Sequence, residues 1–361
     1  MSPVTPAIHG VKARAVVTPL QRPVKNAFGI FTSAPLVLID VATDQRVTGR
    51  AYIFAYANMV LKPLVHLIEE IGRELTGKAI VPYDLMKVMD AKFRLLGWQG
   101  LVGMAVSGLD MAFWDALGQA ACKPVVELLG GSARPMRAYD SYGAVDPVAD
   151  EKDLRRSLEQ GFHGIKIKGG DGDADHDERV VKGVRALLGP DIALMIDFNQ
   201  SLDPAEALRR IKRLGPYDLA WIEEPVPAES LQGHAKVRRS SPTPIQAGEN
   251  WWFPRGFAEA IAAQASDFIM PDLMKVGGIT GWLSVAAQAE AASIPMSSHL
   301  FPEASSHMLA VTPTAHWLEV LDFAGAILAD PIEIRDGTLT ARGPGLGLAW
   351  NEMAVAKYIV N

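Results

Sequence analysis

Residues 193–224, ALMIDFNQSLDPAEALRRIKRLGPYDLAWIEE, decide the fold. Two short apolar runs, Ala193–Asp197 and Leu219–Glu223, each end in an acid, and residues 204–214 between them carry apolar side chains at helical spacing. A strand, a helix and a second strand in about 30 residues form one unit of a parallel sheet. The same unit recurs on both sides, with apolar runs at 136–141, 164–168, 245–248, 268–270, 295–297 and 317–319 and a further helical pattern at 256–265. Eight strands alternating with helices predict an α/β fold of the closed TIM-barrel type rather than an open sheet.

Upstream the rhythm differs. Residues 11–17 and 36–41 (LVLIDV) read as strands, followed by helical patterns over 60–75, 85–96 and 102–121; in the last, Met104, Leu109, Ala112, Phe113 and Ala116 share an apolar face. The breaker cluster 129–135 (LGGSARP) marks a boundary. The expected organisation is therefore an α+β domain over 1–133, a barrel over 134–320, and a segment over 321–361 that leaves the barrel rhythm and returns to cover the first domain.

Size and composition agree with a barrel plus a smaller domain: 361 residues, 49% hydrophobic and 21% charged, with a net charge of -6. No basic stretch stands out, which argues against nucleic acid as a partner. The amino terminus lacks the pattern of a signal peptide, and no apolar run approaches the length that crosses a bilayer, so a cytoplasmic protein without membrane attachment is expected. Cys122 is the single cysteine, which excludes an internal disulfide; its small and apolar neighbours predict a buried side chain.

The chemistry gathers at predicted strand ends. Lys166 and Lys168, Asp197, Glu223, Glu249, Asp272, His299 and Glu319 fall there in succession, and the C-terminal ends of barrel strands converge on one face. Asp197, Glu223 and Glu249 follow consecutive strands, and three converging anions need a cation among them. Oxygen ligands alone point to Mg²⁺, with Mn²⁺ as a possible substitute, and the set lacks the histidines or thiolates that zinc favours. Of the adjacent pair Glu223 and Glu224, the former is preferred, although alternation alone does not decide which faces inward.

Lys166 and Lys168 share one face of their strand, where close ammonium groups depress each other's pKa and prepare a general base. His299 follows the seventh strand and Asp272 the sixth, close enough for a carboxylate to fix the imidazole tautomer. A lysine and a histidine on opposite sides of one substrate can exchange the hydrogen next to a carboxylate in either enantiomer, and Glu319, if protonated, can donate to the enediolate. The alternating acids of 171–175 lack the glycine and closing glutamate of an EF-hand and read as a mobile acidic loop beside the site. No phosphate-binding glycine motif is present.

Several stretches together resemble the enolase superfamily, mandelate racemase subgroup: APLVLIDVAT (34–43), FAYA (54–57), LDMAFWDALG (109–118), AYDS (138–141), DFNQSLD (197–203), WIEEP (221–225), GENW (248–251), PDLMKVGGITGW (271–282), PMSSHLFPE (295–303), TPTAHWLE (312–319) and PGLGLAWNE (344–352). The resemblance spans nearly the whole chain. It implies a (β/α)7β barrel whose first domain is a capping lid completed by the C-terminal segment, assembled as a homo-oligomer, commonly an octamer. It implies Lys168 as the base for the S-enantiomer with Lys166 beside it, and His299 with Asp272 as the base for the R-enantiomer. It further implies Asp197, Glu223 and Glu249 as metal ligands, Glu319 as the acid at the substrate carboxylate, Ser141 and Asn199 as substrate contacts, and Lys275 as a supporting lysine. Phe54 and Tyr56 match the aromatic wall of the pocket. The lid loop departs from the pattern, with Phe28, Ile30 and Phe31 where smaller side chains are usual, and Tyr142 stands where a histidine follows Ser141.

Three functions fit these residues, in descending order: racemisation of a 2-hydroxy acid with an apolar or aromatic side chain, dehydration of an acid sugar to a 2-keto-3-deoxy acid, and carboxylate binding without catalysis. All take a small-molecule carboxylate as partner.

Overall fold

The first sheet is an antiparallel meander. In the computed structural model, which describes residues 5–360, β1 (Ile8–Asn26) pairs with β2 (Gly29–Thr43), and β2 pairs with β3 (Thr48–Phe54). Residues 34–39 of the central strand are buried without interruption, as expected for a strand covered on both faces. Leu61, Leu64, Ile68, Ile71 and Leu75 recur at three- and four-residue steps, so α1 (Leu61–Leu75) buries one stripe against β1. After α2 (Pro82–Phe93), the long α3 (Leu101–Ala121) lies against β3, so closely that a side chain at Gly49 would meet the Ala112 carbonyl oxygen at 2.0 Å. β3 itself has no counterpart in the sequence reading.

One short helix, α4 (Val125–Leu128), leads to the barrel. There β4 (Pro135–Ser141), β5 (Gly164–Lys168), β6 (Ala193–Asp197), β7 (Leu219–Glu223), β8 (Ile245–Ala247) and β9 (Phe268–Ile269) pair in parallel order, and β10 (Leu318–Val320) pairs with β4. The predicted strand at 295–297 forms isolated bridges rather than a ladder, from Met296 to both Ile269 and Ala315. Backbone bonds complete the ring: Ser297 N–H donates to Ile269 O (2.8 Å), and His316 N–H to Met296 O (2.9 Å). The sheet thus curls into a TIM-type barrel with eight positions.

Part of the closing segment stays with the barrel, because β11 (Thr338–Thr340) pairs antiparallel with β4. The remainder reaches the lid, where the helix Glu352–Tyr358 packs on β1 and Arg14 meets Glu352 at 2.6 Å.

Two expectations are corrected. Cys122 is exposed, because α3 ends there and the residue takes a left-handed capping conformation (φ 52°). By length and composition α3 does pass for a membrane span, yet 83% of the window is buried within the fold, so it is a core helix. In the acidic segment 171–175, Asp173 accepts the His176 N–H at the start of the following helix, and Asp171 meets Lys25 at 2.7 Å. The signal-peptide expectation concerns residues 1–4 in part, which lie outside the described residues.

Candidate active site

Alternation along the barrel strands sorts the side chains. Ile165 and Ile167, Leu194 and Ile196, and Ile222 pack outward against the helices, which turns Lys166, Lys168, Asp197 and Glu223 inward. Below these polar groups Tyr139, Met195, Trp221 and Trp317 form a buried floor, with the rings of Tyr139 and Trp221 5.5 Å apart edge to face. The same alternation puts Ser141 at the inner face and sends Tyr142 outward. Tyr142 hydroxyl lies 2.6 Å from Ser157 Oγ and donates to Asp153 O, so the substitution noted beside Ser141 does not reshape the pocket.

Asp197, Glu223 and Glu249 bring oxygen atoms within 4.8 Å of one another, all three residues buried. Lys166 Nζ lies 2.5 Å from Glu223 Oε1 and 2.7 Å from Glu319 Oε1. Lys168 Nζ donates to Asp197 Oδ2, whose carboxylate also accepts two bonds from Asn199. His299 stands at the far edge of the triad, its Nε2 3.0 Å from Glu249 Oε2 and its Nδ1 2.7 Å from Asp272 Oδ2. Met274 N–H holds the other Asp272 oxygen at 2.6 Å, which fixes the carboxylate that orients the imidazole.

Charge governs the site. Burial, the largest single effect, and the neighbouring Lys166 push Lys168 down, but the carboxylates of Asp197, Glu249 and Glu223 together outweigh them, and the net displacement is upward. The expected depression of Lys168 by Lys166 is therefore present but overruled. Burial likewise lowers His299, while Glu249 and Glu319 carry it well above the ordinary histidine range. Glu319 moves in the opposite sense. Burial raises it, but Lys166 and His299 draw it down to about 2, and it accepts bonds from Lys166 and from Leu300 N–H. A pair of cations pressed against three clustered carboxylates is the arrangement expected where a divalent cation belongs, and the all-oxygen donor set suits Mg²⁺.

Several groups in this site escape a reading of strand ends. Trp221 Nε1 and Gln246 Nε2 both donate to Glu223 Oε2, at 3.0 and 3.1 Å. Glu224, past the strand in a left-handed conformation (φ 39°), is fully buried and accepts from Asn250. Lys275 Nζ donates to Asn250 Oδ1 at 2.6 Å and sits 4.9 Å from the centre of the Tyr56 ring. Tyr56 in turn packs on Phe54, which meets Phe323, giving an aromatic wall at the lid. Phe31 is half-buried, whereas Phe28 and Ile30 at the hairpin tip are 72% and 63% exposed and are not brought to the carboxylates. The hairpin is nevertheless docked over the barrel mouth, since Ala144 N–H donates to Lys25 O and Arg22 grips Asp140 with two bonds of 2.6 and 3.0 Å.

Known proteins share this combination of lid and barrel. Residues 8–130 match the mandelate racemase/muconate lactonizing enzyme N-terminal domain, and residues 149–354 the enolase C-terminal domain-like family. Among solved structures, an enolase from Bradyrhizobium complexed with magnesium and mandelic acid is 74% identical over all of both chains, with a TM-score of 0.98. Among curated proteins, the L-talarate/galactarate dehydratase of Salmonella typhimurium is 29% identical over 96% of this chain and 90% of its own. The D-galactarolactone cycloisomerase of Agrobacterium fabrum is 30% identical over 97% and 98%. With both domain families matched across the lid and the barrel, the chain belongs to the enolase superfamily, in its mandelate racemase subgroup.

Proposed function

We propose that the protein racemises a 2-hydroxy acid bearing an apolar or aromatic side chain, by removing the proton next to the carboxylate. The observation that carries this reading is the placing of two bases on one carboxylate triad, Lys168 against Asp197 and His299 against Glu249. Asp197, Glu223 and Glu249 would hold a Mg²⁺ ion, which supplies charge that these carboxylates otherwise draw from the two bases and offsets negative charge on the substrate carboxylate.

Lys168, with the Lys166 ammonium beside it, takes the proton from one enantiomer. His299, held by Asp272 through Nδ1, takes it from the other and returns a proton through Nε2. Lys166 faces the developing charge as a donor, and Glu319 keeps it in place. Ser141 Oγ and Asn199 Oδ1 are buried without hydrogen-bond partners, which suits polar contacts to the substrate. Phe54, Tyr56 and Phe323 offer an apolar wall for the side chain, with the half-buried Phe31 coming from the lid loop. The mandelic acid held by the Bradyrhizobium relative is of this class.

A second reading, dehydration of an acid sugar, is favoured by the curated relatives, which include the talarate/galactarate dehydratase. Incubation with a panel of 2-hydroxy acids and aldonic or aldaric acids in D₂O with Mg²⁺, followed by NMR, separates the two. Exchange of the α-hydrogen with inversion supports racemisation, and a 2-keto-3-deoxy product supports dehydration. Neither outcome across the panel would count against both.

A further inference from the structure

Asn250 sits directly after Glu249 and has no part in the chemistry above. Its amide oxygen accepts from Lys275 Nζ at 2.6 Å. Its amide nitrogen donates the other way, to Glu249 Oε1 at 3.0 Å and to Glu224 at 2.8 and 3.1 Å. An ammonium can only donate and a carboxylate can only accept, so these neighbours leave the amide one orientation. Both anchors are themselves fixed. Lys275 is buried under the Tyr56 ring, and Glu224 is fully buried in a left-handed backbone conformation. On its other side Glu249 presents Oε2 to His299.

We propose that Asn250 is a positioning residue that aims the Glu249 carboxylate at the divalent cation, with Lys275 and Glu224 holding the amide in place. The inference rests on the metal reading of Asp197, Glu223 and Glu249. Groups that orient a ligand in this way commonly set metal affinity by about 10–100-fold.

Mg²⁺ titrated calorimetrically into the chelator-stripped full-length protein tests it. Asn250→Ala is expected to weaken binding about 10–100-fold while circular dichroism stays native. In a Glu249→Gln background the same change is expected to move affinity by less than about twofold, because a residue acting through Glu249 has nothing left to orient. A merely structural role would lower the melting temperature and leave this non-additivity absent. If alanine prevents folding, Asn250→Ser carries the same comparison. Wild-type affinity in the single variant, or an equal loss in both backgrounds, overturns the proposal. Absence of saturable Mg²⁺ binding in the wild type, or its persistence unchanged in Glu249→Gln, instead overturns the metal reading and the inference with it.

Discussion

His299 Nε2 lies 3.0 Å from Glu249 Oε2, so a proposed base and a proposed ligand of the cation share one contact. Lys168 stands in the same relation to Asp197. Each proposed base thus rests against a carboxylate of the triad that favours its protonated form, and a cation bound by the triad would weaken that hold on both.

The two bases should separate by enantiomer. Lys168→Ala is expected to abolish racemisation and S-substrate exchange, by about 10²–10⁴-fold, while His299 still exchanges the α-hydrogen of the R-substrate in D₂O. His299→Asn should do the reverse. Loss of R-exchange in a folded, metal-loaded Lys168→Ala protein would end the two-base assignment.

Mg²⁺ should stabilise the folded chain, since the triad exists only there. At a concentration of one hundred times the dissociation constant the gain is about 2.7 kcal/mol, seen as a higher melting temperature. Chelation should remove both that gain and α-exchange, and Asp197→Asn should make melting insensitive to Mg²⁺.

Arg22→Met should cost about 3 kcal/mol in urea unfolding, because Asp140, whose side chain is 6% exposed, loses its bidentate partner and keeps Ser157 as its remaining side-chain donor. Adding Asp140→Asn should recover most of that loss. The lid hairpin leaves its ladder between Pro19 and Val24 to make this contact, so a raised KM with little change in kcat is expected for the single variant.

His307 is buried on the helix Pro302–Ala310, with Nδ1 accepting from Val126 N–H and Nε2 unpartnered among the described residues, and burial lowers it from 6.5 to about 4. The unfolded chain therefore binds a proton at this position first. Stability from the neutral imidazole is full above about pH 6.5 and is lost as pH falls toward 4, about 3 kcal/mol in all. His307→Asn keeps an acceptor for Val126 and should flatten that slope relative to wild type in denaturant melts between pH 4 and 7. An unchanged difference across that range would remove His307 as the cause.

Much of the site was legible because it is written at one register position. Each βα unit ends its strand with the functional side chain, so Lys168, Asp197, Glu223 and Glu249 could be read in series, and β5, β6 and β7 begin and end where their apolar runs do. The closing strand at 295–297 was legible as an apolar run but not as a pair of isolated bridges, because pairing depends on its neighbours. The end of α3 was legible, but Cys122 was misread because apolar neighbours in sequence say nothing of which way the residue past a helix end turns.

The sequence by itself determined the barrel, the succession of strand-end acids and the residue types of the two candidate bases, because period and spacing are local properties of the chain. Tertiary structure alone decided that Lys168 and His299 rest on Asp197 and Glu249, that Glu319 is an acceptor, and that Asn250 is locked between Lys275 and Glu224. The net charge state of a buried group is a sum over neighbours from every strand, and that sum exists only once the chain has closed.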